Sequence, residues 1–321
     1  MTDQRRSVLV LTNPGDATAD VVLRILADRR VPVVRIDPGT DLHTGASLTA
    51  TYRTGDQRGT LRTSSRELDL TRVRSVWVRR ASAYDGPPDL QGQEQKFAAQ
   101  QTAWGFGGVL ASLPGAHYVN HPWLNRAAEF KPVQLATAQR CGLRVPNTLI
   151  TNDPAVASEF ATLQVGGAVY KPLWNSPYTV NGEPHAVWVR EVCGYEITDA
   201  VAACPHLFQA KVPKVCDARV TAVGDQLFGV RIDSPDLDWR RRQDQMACDP
   251  IEVPGAVGEA VTAYLAEFGL VFGALDFAVT ADGTWYFLEC NPNGQWAWQP
   301  SAVTDAIAHA LADQLEKGPD T

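Results

Sequence analysis

The 321-residue chain lacks the features that mark several protein classes. It has no apolar run near the roughly 18 residues that cross a bilayer. Residues 1–6 lead into a strand-like run without the apolar core and cleavage site of a signal peptide. Six scattered cysteines form no C-x-x-C pair and have no histidine at zinc spacing, so we expect neither a disulfide framework nor a zinc site. These absences predict a cytoplasmic protein without a membrane partner.

An excess of positive charge is absent too. The formal net charge is −7, which argues against a nucleic-acid partner held by bulk charge. Apolar residues make up 45% of the chain and charged residues 20%, the proportions of an ordinary globular protein. At this length we expect two or three domains with separate cores.

Lysine is scarce, and arginine supplies most of the 29 basic residues. Only six lysines occur, and four of them lie between positions 131 and 214: Lys131, Lys171, Lys211 and Lys214. An ammonium group is a compact charge that suits nucleotide phosphates. The clustering therefore indicates that these charges serve a nucleotide.

The chain opens with a predicted β-α-β unit, with strands at 7–12 and 31–36 around a helix at 19–29, which implies a small parallel α/β unit. Its turn lacks the G-x-G-x-x-G of dinucleotide-binding folds. Arg79 and Arg80 at a strand end could receive a carboxylate, but a solvated strand end is the main expectation. The sequence also predicts helices at 93–113, 125–141, 154–163, 255–268 and 302–316, loops at 173–185 and 234–249, and a link between two sheets at 207–214.

The final predicted hairpin carries the strongest local signal. Asp282-Gly283 lies between two apolar, aromatic-rich runs, which predicts a two-residue turn. That register puts Asp276 opposite Glu289, with Asn291 on the same face. Facing carboxylates destabilise a hairpin unless a cation joins them, and an all-oxygen set suits Mg²⁺ with nucleotide phosphates. The alternative is a solvated face with a coincidental acidic pair, because a one-residue slip would undo the pairing.

Several motifs, taken together, resemble one family. They are Asn-His-Pro-Trp-Leu-Asn-Arg-Ala-Ala-Glu-Phe-Lys-Pro at 120–132, Tyr-Lys-Pro at 170–172, Phe-Gln-x-x-Val-Pro-Lys at 208–214, Asp-x-Arg-Val-Thr at 217–221 and Glu-Cys-Asn-Pro-Asn-Gly-Gln-Trp at 289–296. Their order is similar to that of ATP-grasp proteins, in which two α+β halves close over ATP. The whole set resembles the microviridin-type peptide ligases, which mature the ribosomal peptides called graspetides. Cys290 and Ala210 depart from the commoner valine and acidic residue of that pattern.

The resemblance spans essentially the whole chain and implies its architecture. We expect an α/β fold, α+β in the C-terminal halves, with an N-terminal pre-ATP-grasp domain at 1–119. A central ATP-grasp subdomain at 120–206 and a C-terminal one at 207–321 complete the expected division.

The resemblance also implies three groups of site residues. The nucleotide-binding group holds the phosphates, the adenine edge and the ribose or substrate side, and comprises Lys131, Lys171, Gln209, Ala210, Lys211, Val212, Lys214 and Asp217. The catalytic pair, expected to stabilise charge on the transferring phosphoryl group, is Arg219 and Arg231. The ligands expected for two Mg²⁺ ions are Asp276, Glu289 and Asn291.

The implied reaction joins side chains of a ribosomal precursor peptide at the expense of ATP. An Asp or Glu carboxylate becomes an acyl-phosphate, and a Ser/Thr hydroxyl or Lys amine then closes an ω-ester or ω-amide ring. The resemblance further implies a groove for the leader segment of the precursor, for which 173–205 is the candidate region, and a homodimer.

Two other functions share many of these residues. An ATP-grasp carboxylate–amine ligase for free amino acids or small peptides, similar to glutathione synthetase, would use the same lysines and metal ligands. The runs at 208–214 and 291–296 favour the peptide maturase. A non-catalytic nucleotide-binding module is the other alternative, and the intact acidic pair argues against it.

Overall fold

A computed structural model describes residues 6–174 and 178–318 of the chain. Our interpretation of residues 1–5, and the 175–177 part of the predicted 173–185 loop, fall outside the described residues. Among the described helices, none combines the length and apolar composition that a bilayer span requires.

The described strands and α-helices follow one another from a parallel unit to antiparallel sheets. The strands are β1 (Ser7–Leu11), β2 (Val33–Ile36), β3 (Ser47–Arg53), β4 (Asp56–Arg62), β5 (Glu67–Asp69), β6 (Val73–Val78), β7 (His117–Val119), β8 (Thr148–Thr151), β9 (Ala168–Lys171), β10 (Tyr178–Val180), β11 (Glu183–His185), β12 (Arg190–Val192), β13 (His206–Ala210), β14 (Lys214–Val223), β15 (Gln226–Asp233), β16 (Ala247–Pro250), β17 (Phe272–Thr280) and β18 (Trp285–Asn291). The helices are α1 (Ala17–Asp28), α2 (Gly92–Leu110), α3 (Pro122–Ala128), α4 (Lys131–Arg140), α5 (Pro154–Leu163), α6 (Gly255–Phe268) and α7 (Ser301–Lys317).

The N-terminal part is the parallel α/β unit that the sequence predicts. Its sheet has the order β2-β1-β6-β7 with all pairs parallel, and the apolar run of β1 is buried, as expected for a strand covered on both faces. The Asp16 side chain caps α1 by accepting from the Ala19 amide. A smaller antiparallel sheet, with the order β3-β4-β5, is formed by residues between β2 and β6 in the chain.

Two antiparallel sheets follow. The central one has the order β12-β9-β13-β8, and the C-terminal one has the order β16-β15-β14-β17-β18. The sequence predicts a link between the sheets at 207–214, but β13 pairs with both β8 and β9, so residues 211–213 connect the two sheets.

One hydrophobic core joins the two ends of the chain. Val8, Val22 and Trp77 of the N-terminal unit pack in the same buried cluster as Trp296 and Leu311, the latter from α7. A second cluster fills the space between α6 and one face of the C-terminal sheet. This cluster does not cover the opposite face of that sheet.

Two predicted elements differ from the structure. The helix predicted at 125–141 is two helices, α3 and α4, separated at Glu129 and Phe130. Pro132 explains the break, because proline is favoured in the first turn of a helix and not in its interior. The loop predicted at 234–249 contains 3-10 turns at Trp239–Gln245 and the edge strand β16.

Candidate active site

The two predicted carboxylates face each other in the last hairpin. Asp276 on β17 pairs with Glu289 on β18, as the sequence predicted. The turn is one residue longer than predicted, since the Thr280 amide donates to Thr284 O (3.0 Å) and Gly283 takes a positive φ of 81°. A bulge between Asp276 and Phe277 leaves Leu288 without a partner and restores the expected register.

This bulge changes which side chains of β18 share a face. Trp285, Phe287 and Cys290 lie in the core behind the sheet. Their spacing of two and then three residues is possible only with an extra residue between Phe287 and Cys290. Leu288 and Glu289 therefore both border the open side of the sheet.

Three cations surround the carboxylate pair. Arg219 donates from Nε to Asp276 Oδ1 (2.9 Å) and from Nη2 to Oδ2 (3.2 Å). Arg240 donates to both Asp276 and Glu289, and Lys131 Nζ lies 2.5 Å from Glu289 Oε2. Burial opposes ionisation of Glu289, but Lys131 and Arg240 outweigh it and hold its pKa well below the usual range.

The donor set fits a magnesium–nucleotide complex better than an isolated metal site. Asp276 and Glu289 supply two carboxylates, the number that commonly holds Mg²⁺ when phosphates and water complete its coordination. Among the described residues, no group of three or more His, Cys, Asp or Glu side chains is placed to hold a metal. Any ion bound here would therefore need oxygen ligands from elsewhere.

A cavity of about 840 Å³ lies between the central and C-terminal sheets, above this pair. It brings together ten of the thirteen residues predicted for the site: Lys131, Lys171, Gln209, Ala210, Lys211, Val212, Lys214, Asp217, Asp276 and Glu289. Lys131 enters from the start of α4 and Lys171 from the end of β9. The predicted nucleotide group thus shares one space.

The segment 209–214 forms one wall of the cavity through a set of local bonds. The Ala210 amide donates to Asn147 O (2.8 Å), and the Lys211 amide donates to Gly167 O (2.9 Å). Gln209 Nε2 donates to Thr148 Oγ1 (2.9 Å), so its side chain is held beside the strand. These bonds give the segment a defined path between β13 and β14.

The pKa values of Lys171 and Asp217 in the cavity also depart from their usual values. Burial is the main cause that lowers the pKa of Lys171 to about 8, with Glu289 opposing and Lys131 adding to the shift. Burial also raises the pKa of Asp217 to about 6, against the effect of Lys214, whose Nζ lies 2.5 Å from Asp217 Oδ2.

Three predicted residues do not line the cavity. Arg219 is buried at 3% exposure behind Asp276. Asn291 pairs with Ala274 on the same face as Glu289, but its side chain is exposed beyond the cavity wall. Arg231 pairs across the strands with Ala218, whose side chain lies in the core on the opposite face from Arg219, and binds Asp233 Oδ1 at 2.7 Å. The structure therefore separates Arg231 from the predicted site.

The sequence reasoning missed the residues at 238–240. Asp238, Trp239 and Arg240 line the cavity, although we predicted an exposed loop there. Trp239 is 5% exposed, and its ring lies 5.3 Å from Arg219 Cζ and 5.0 Å from Arg240 Cζ. A tryptophan in an otherwise charged stretch was the available signal, because such a large side chain seldom stays solvated.

Arg79 also differs from its prediction. It is 3% exposed and donates from Nη1 to Asn293 O (2.8 Å) and from Nη2 to Gln295 Oε1 (2.6 Å). Burial is the main cause that lowers its pKa to about 10. The strand end is not solvated at this residue, because the 293–295 loop covers it.

Comparisons with known proteins agree with this arrangement. The model of the MvdD pre-ATP grasp domain matches residues 7–126. A RiPP-associated ATP-grasp ligase from Chryseobacterium gregarium, solved with ADP and a leader and core peptide, superposes with a TM-score of 0.86 at 25% identity, over 97% of this chain and 96% of its own. The chain is similar in sequence and fold to this RiPP-associated ATP-grasp ligase over nearly its whole length.

Two macrocyclases are also similar along their full length. MdnC from Microcystis aeruginosa MRC, solved with precursor peptide MdnA, has a TM-score of 0.83 at 26% identity, over 96% of this chain and 98% of its own. MdnB from the same organism has a TM-score of 0.79 at 28% identity, over 97% and 99%. A sequence comparison with curated proteins finds no match.

These similarities confirm the resemblance, the ATP-grasp fold and the pre-ATP-grasp domain that the motifs predicted. They support an ATP-dependent ligase.

Proposed function

We propose that this enzyme closes rings in a ribosomal precursor peptide by joining Asp or Glu side chains to Ser/Thr hydroxyls or Lys amines. One observation carries the proposal: a single cavity contains Lys131, Lys171 and the Asp276–Glu289 pair, with free space of about 840 Å³ beside them. This volume is in the range of ligand-binding clefts.

In this proposal the nucleotide lies along the wall formed by 209–214. Lys131 and Lys171 hold the α/β-phosphates as point charges, and the backbone at Ala210 and Val212 reads the adenine edge. Lys214 and Asp217, which form an ion pair of 2.5 Å, lie towards the ribose or substrate side. Gln209 and Lys211 complete the wall.

Asp276, Glu289 and Asn291 would hold two Mg²⁺ ions, which when bound neutralise phosphate charge and orient the γ-phosphoryl group. Asn291 is exposed and does not line the cavity, so Asp276 and Glu289 would be the main ligands in the described arrangement. Arg240 bridges the carboxylates with its own positive charge.

Arg240 replaces Arg231 in the proposed catalytic pair. Arg219 stays fixed behind Asp276, whereas Arg240 enters the cavity from the 3-10 turns at Trp239–Gln245. Cations held next to the carboxylates can stabilise the charge that spreads over the phosphoryl oxygens during transfer.

The proposed reaction has two balanced steps. A precursor carboxylate attacks the γ-phosphorus of ATP, which forms an acyl-phosphate and releases ADP. A hydroxyl or amine of the same peptide then attacks the acyl carbon, loses its proton, and releases phosphate. In this proposal the cavity positions the reactants, and exclusion of water from it limits loss of the acyl-phosphate to hydrolysis.

The leader groove is proposed at 173–205, next to the cavity. Trp174 and Tyr178 are each 55% exposed, and Trp188 is 38% exposed. All three border the cavity, so a peptide bound along them would lead into it. Aromatic side chains supply large contact areas in peptide recognition. A homodimer remains a prediction.

The direct test is incubation of the enzyme with ATP, Mg²⁺ and a candidate precursor that ends in repeated Thr and Asp/Glu. We expect a mass loss of about 18 Da and one ADP per ring, because each closure is a dehydrative condensation. Hydroxylamine cleavage of the product separates esters from amides. ADP release with free amino acids, without any change in peptide mass, would instead support the small-molecule ligase.

A further inference from the structure

Arg79 follows β6 in the N-terminal unit and is bound to the 293–295 loop, which follows β18. Its guanidinium donates to three consecutive loop residues: Asn293 O (2.8 Å), Gly294 O (3.3 Å) and Gln295 Oε1 (2.6 Å). The side chain is 1% exposed. A buried charge that is fixed by three acceptors holds its partners in one arrangement.

Further contacts of the N-terminal unit hold the same loop. Thr18 Oγ1 donates to Gln295 Oε1 (3.0 Å), so this oxygen is bound by two residues of that unit. The Asp16 carboxylate lies 3.5 Å from Arg79 Nε and supplies the counter-charge. Gly294 packs so closely on the sheet that a Cβ there would lie 2.5 Å from the Ala274 Cβ. The loop therefore has little freedom to shift.

The loop in turn contacts the carboxylate site. The Gln295 carbonyl accepts from Arg219 Nη1 (3.2 Å). Arg219 then binds Asp276 through two nitrogens, at 2.9 and 3.2 Å. A continuous series of hydrogen bonds thus joins Arg79 to Asp276, although the two side chains belong to different sheets.

We propose that Arg79 is a positioning residue: it holds the 293–295 loop where the Gln295 carbonyl orients Arg219 against Asp276. The N-terminal unit thereby completes the magnesium–nucleotide site without touching it. This inference rests on the proposed function, because it assigns Asp276 to that site.

The test compares Arg79→Lys with Ser75→Ala. Ser75 lies on the same strand and is fully buried, and its Oγ donates to Leu315 O in α7 (2.8 Å). Ser75→Ala therefore removes a hydrogen bond between the same two parts of the chain, away from the loop. Lysine keeps the charge of Arg79 but lacks the planar fork that reaches three acceptors.

Two calorimetric titrations distinguish a positioning role of Arg79 from a general loss of packing. One measures the binding of ADP without Mg²⁺, and the other measures the binding of Mg²⁺ in the presence of ADP. For Arg79→Lys we expect the Mg²⁺ concentration at half-saturation to rise about tenfold, the effect of losing a hydrogen bond to a charged group. The affinity for ADP alone should change less than about threefold, since Lys131 and Lys171 are untouched. Ser75→Ala should leave both titrations unchanged.

A double-mutant cycle identifies the route. If Arg79 acts through Arg219, Arg79→Lys should produce no further change in Mg²⁺ dependence in an Arg219→Lys background. Additive effects would overturn the inference, as would equal shifts in Arg79→Lys and Ser75→Ala. If Arg79→Lys does not fold, Gln295→Met keeps the backbone carbonyl and should shift the Mg²⁺ dependence in the same direction, by about threefold. No shift in that variant would also overturn it.

The wild-type titration distinguishes failure of the proposed metal site from failure of the role proposed for Arg79. Absence of any effect of Mg²⁺ on ADP binding would overturn the proposed metal site and this inference together. A normal Mg²⁺ effect in the wild type and an unchanged one in Arg79→Lys would overturn only the role of Arg79.

Discussion

Asp276 lies directly opposite Glu289, and the guanidinium of Arg240 donates to both carboxylates. Two like charges in this position repel each other unless a cation joins them. Arg240 serves as that cation here, Arg219 binds both oxygens of Asp276, and Lys131 binds the Glu289 oxygen that Arg240 does not. The three cations thus offset the negative charge of the two carboxylates, and bound magnesium and phosphates would change this balance of charge.

Arg240 and Arg231 form a matched pair of variants. We expect Arg240→Gln to lower kcat by about 10²–10³-fold, because a fixed cation beside the transferred group contributes strongly to its stabilisation. Arg231→Gln should change kcat less than about threefold, since its ion pair with Asp233 is partly exposed and lies on the other face. Initial rates of ADP formation measure both. Equal losses in the two variants would contradict the assignment.

The two carboxylates should differ in their effect on stability. Glu289→Gln and Asp276→Asn should each lower turnover by about 10²–10³-fold, because each removes a proposed metal ligand. Asp276→Asn should also lower the free energy of unfolding by about 3 kcal/mol, since its partner Arg219 is buried and would lose its counter-charge. Activity assays and urea unfolding test this. Asp282→Asn, at the exposed hairpin turn, is the control; retained turnover in either site variant would refute the metal assignment.

Nucleotide affinity should fall as pH rises through about 8. The pKa of Lys171 is lowered to about 8, and only the protonated ammonium attracts phosphates. Affinity for ADP is then nearly complete at pH 7 and about tenfold weaker at pH 9. Lys171→Arg keeps its charge over this range, so its affinity should not show that decline. Calorimetric titrations from pH 6.5 to 9.5 decide; the same decline in both proteins would assign the effect to another group.

Gln134 on α4 holds the strand next to Glu289. It donates to Cys290 O and Ala128 O (both 2.7 Å) and accepts from the Cys290 amide (2.9 Å). Gln134→Met should lower the free energy of unfolding by about 2–4 kcal/mol, since it leaves buried backbone groups unpaired. Gln139→Met, at an exposed position of the same helix, should change it by less than about 0.5 kcal/mol. Urea unfolding followed by circular dichroism measures both; similar values would contradict this role.

The sequence alone was sufficient for the features that depend on neighbours along the chain. The last hairpin and its carboxylate pair were predicted from the turn residues and two-residue alternation, and in the structure a longer turn and a compensating bulge give the same pairing. The register of Gly224-Asp225 also puts Arg231 opposite Ala218, so the sequence itself places Arg231 on the other face of the sheet from Arg219.

Only the tertiary structure decided which distant segments meet in the site. The bulge at Leu288, the entry of Trp239 and Arg240 into the cavity and the burial of Arg79 under the 293–295 loop all depend on packing between separate sheets. Local periodicity determines which face of a strand a side chain occupies, but it contains no information on what covers that face. The carboxylates, Lys131 and Arg219 were therefore named from the sequence, while Arg240 was not.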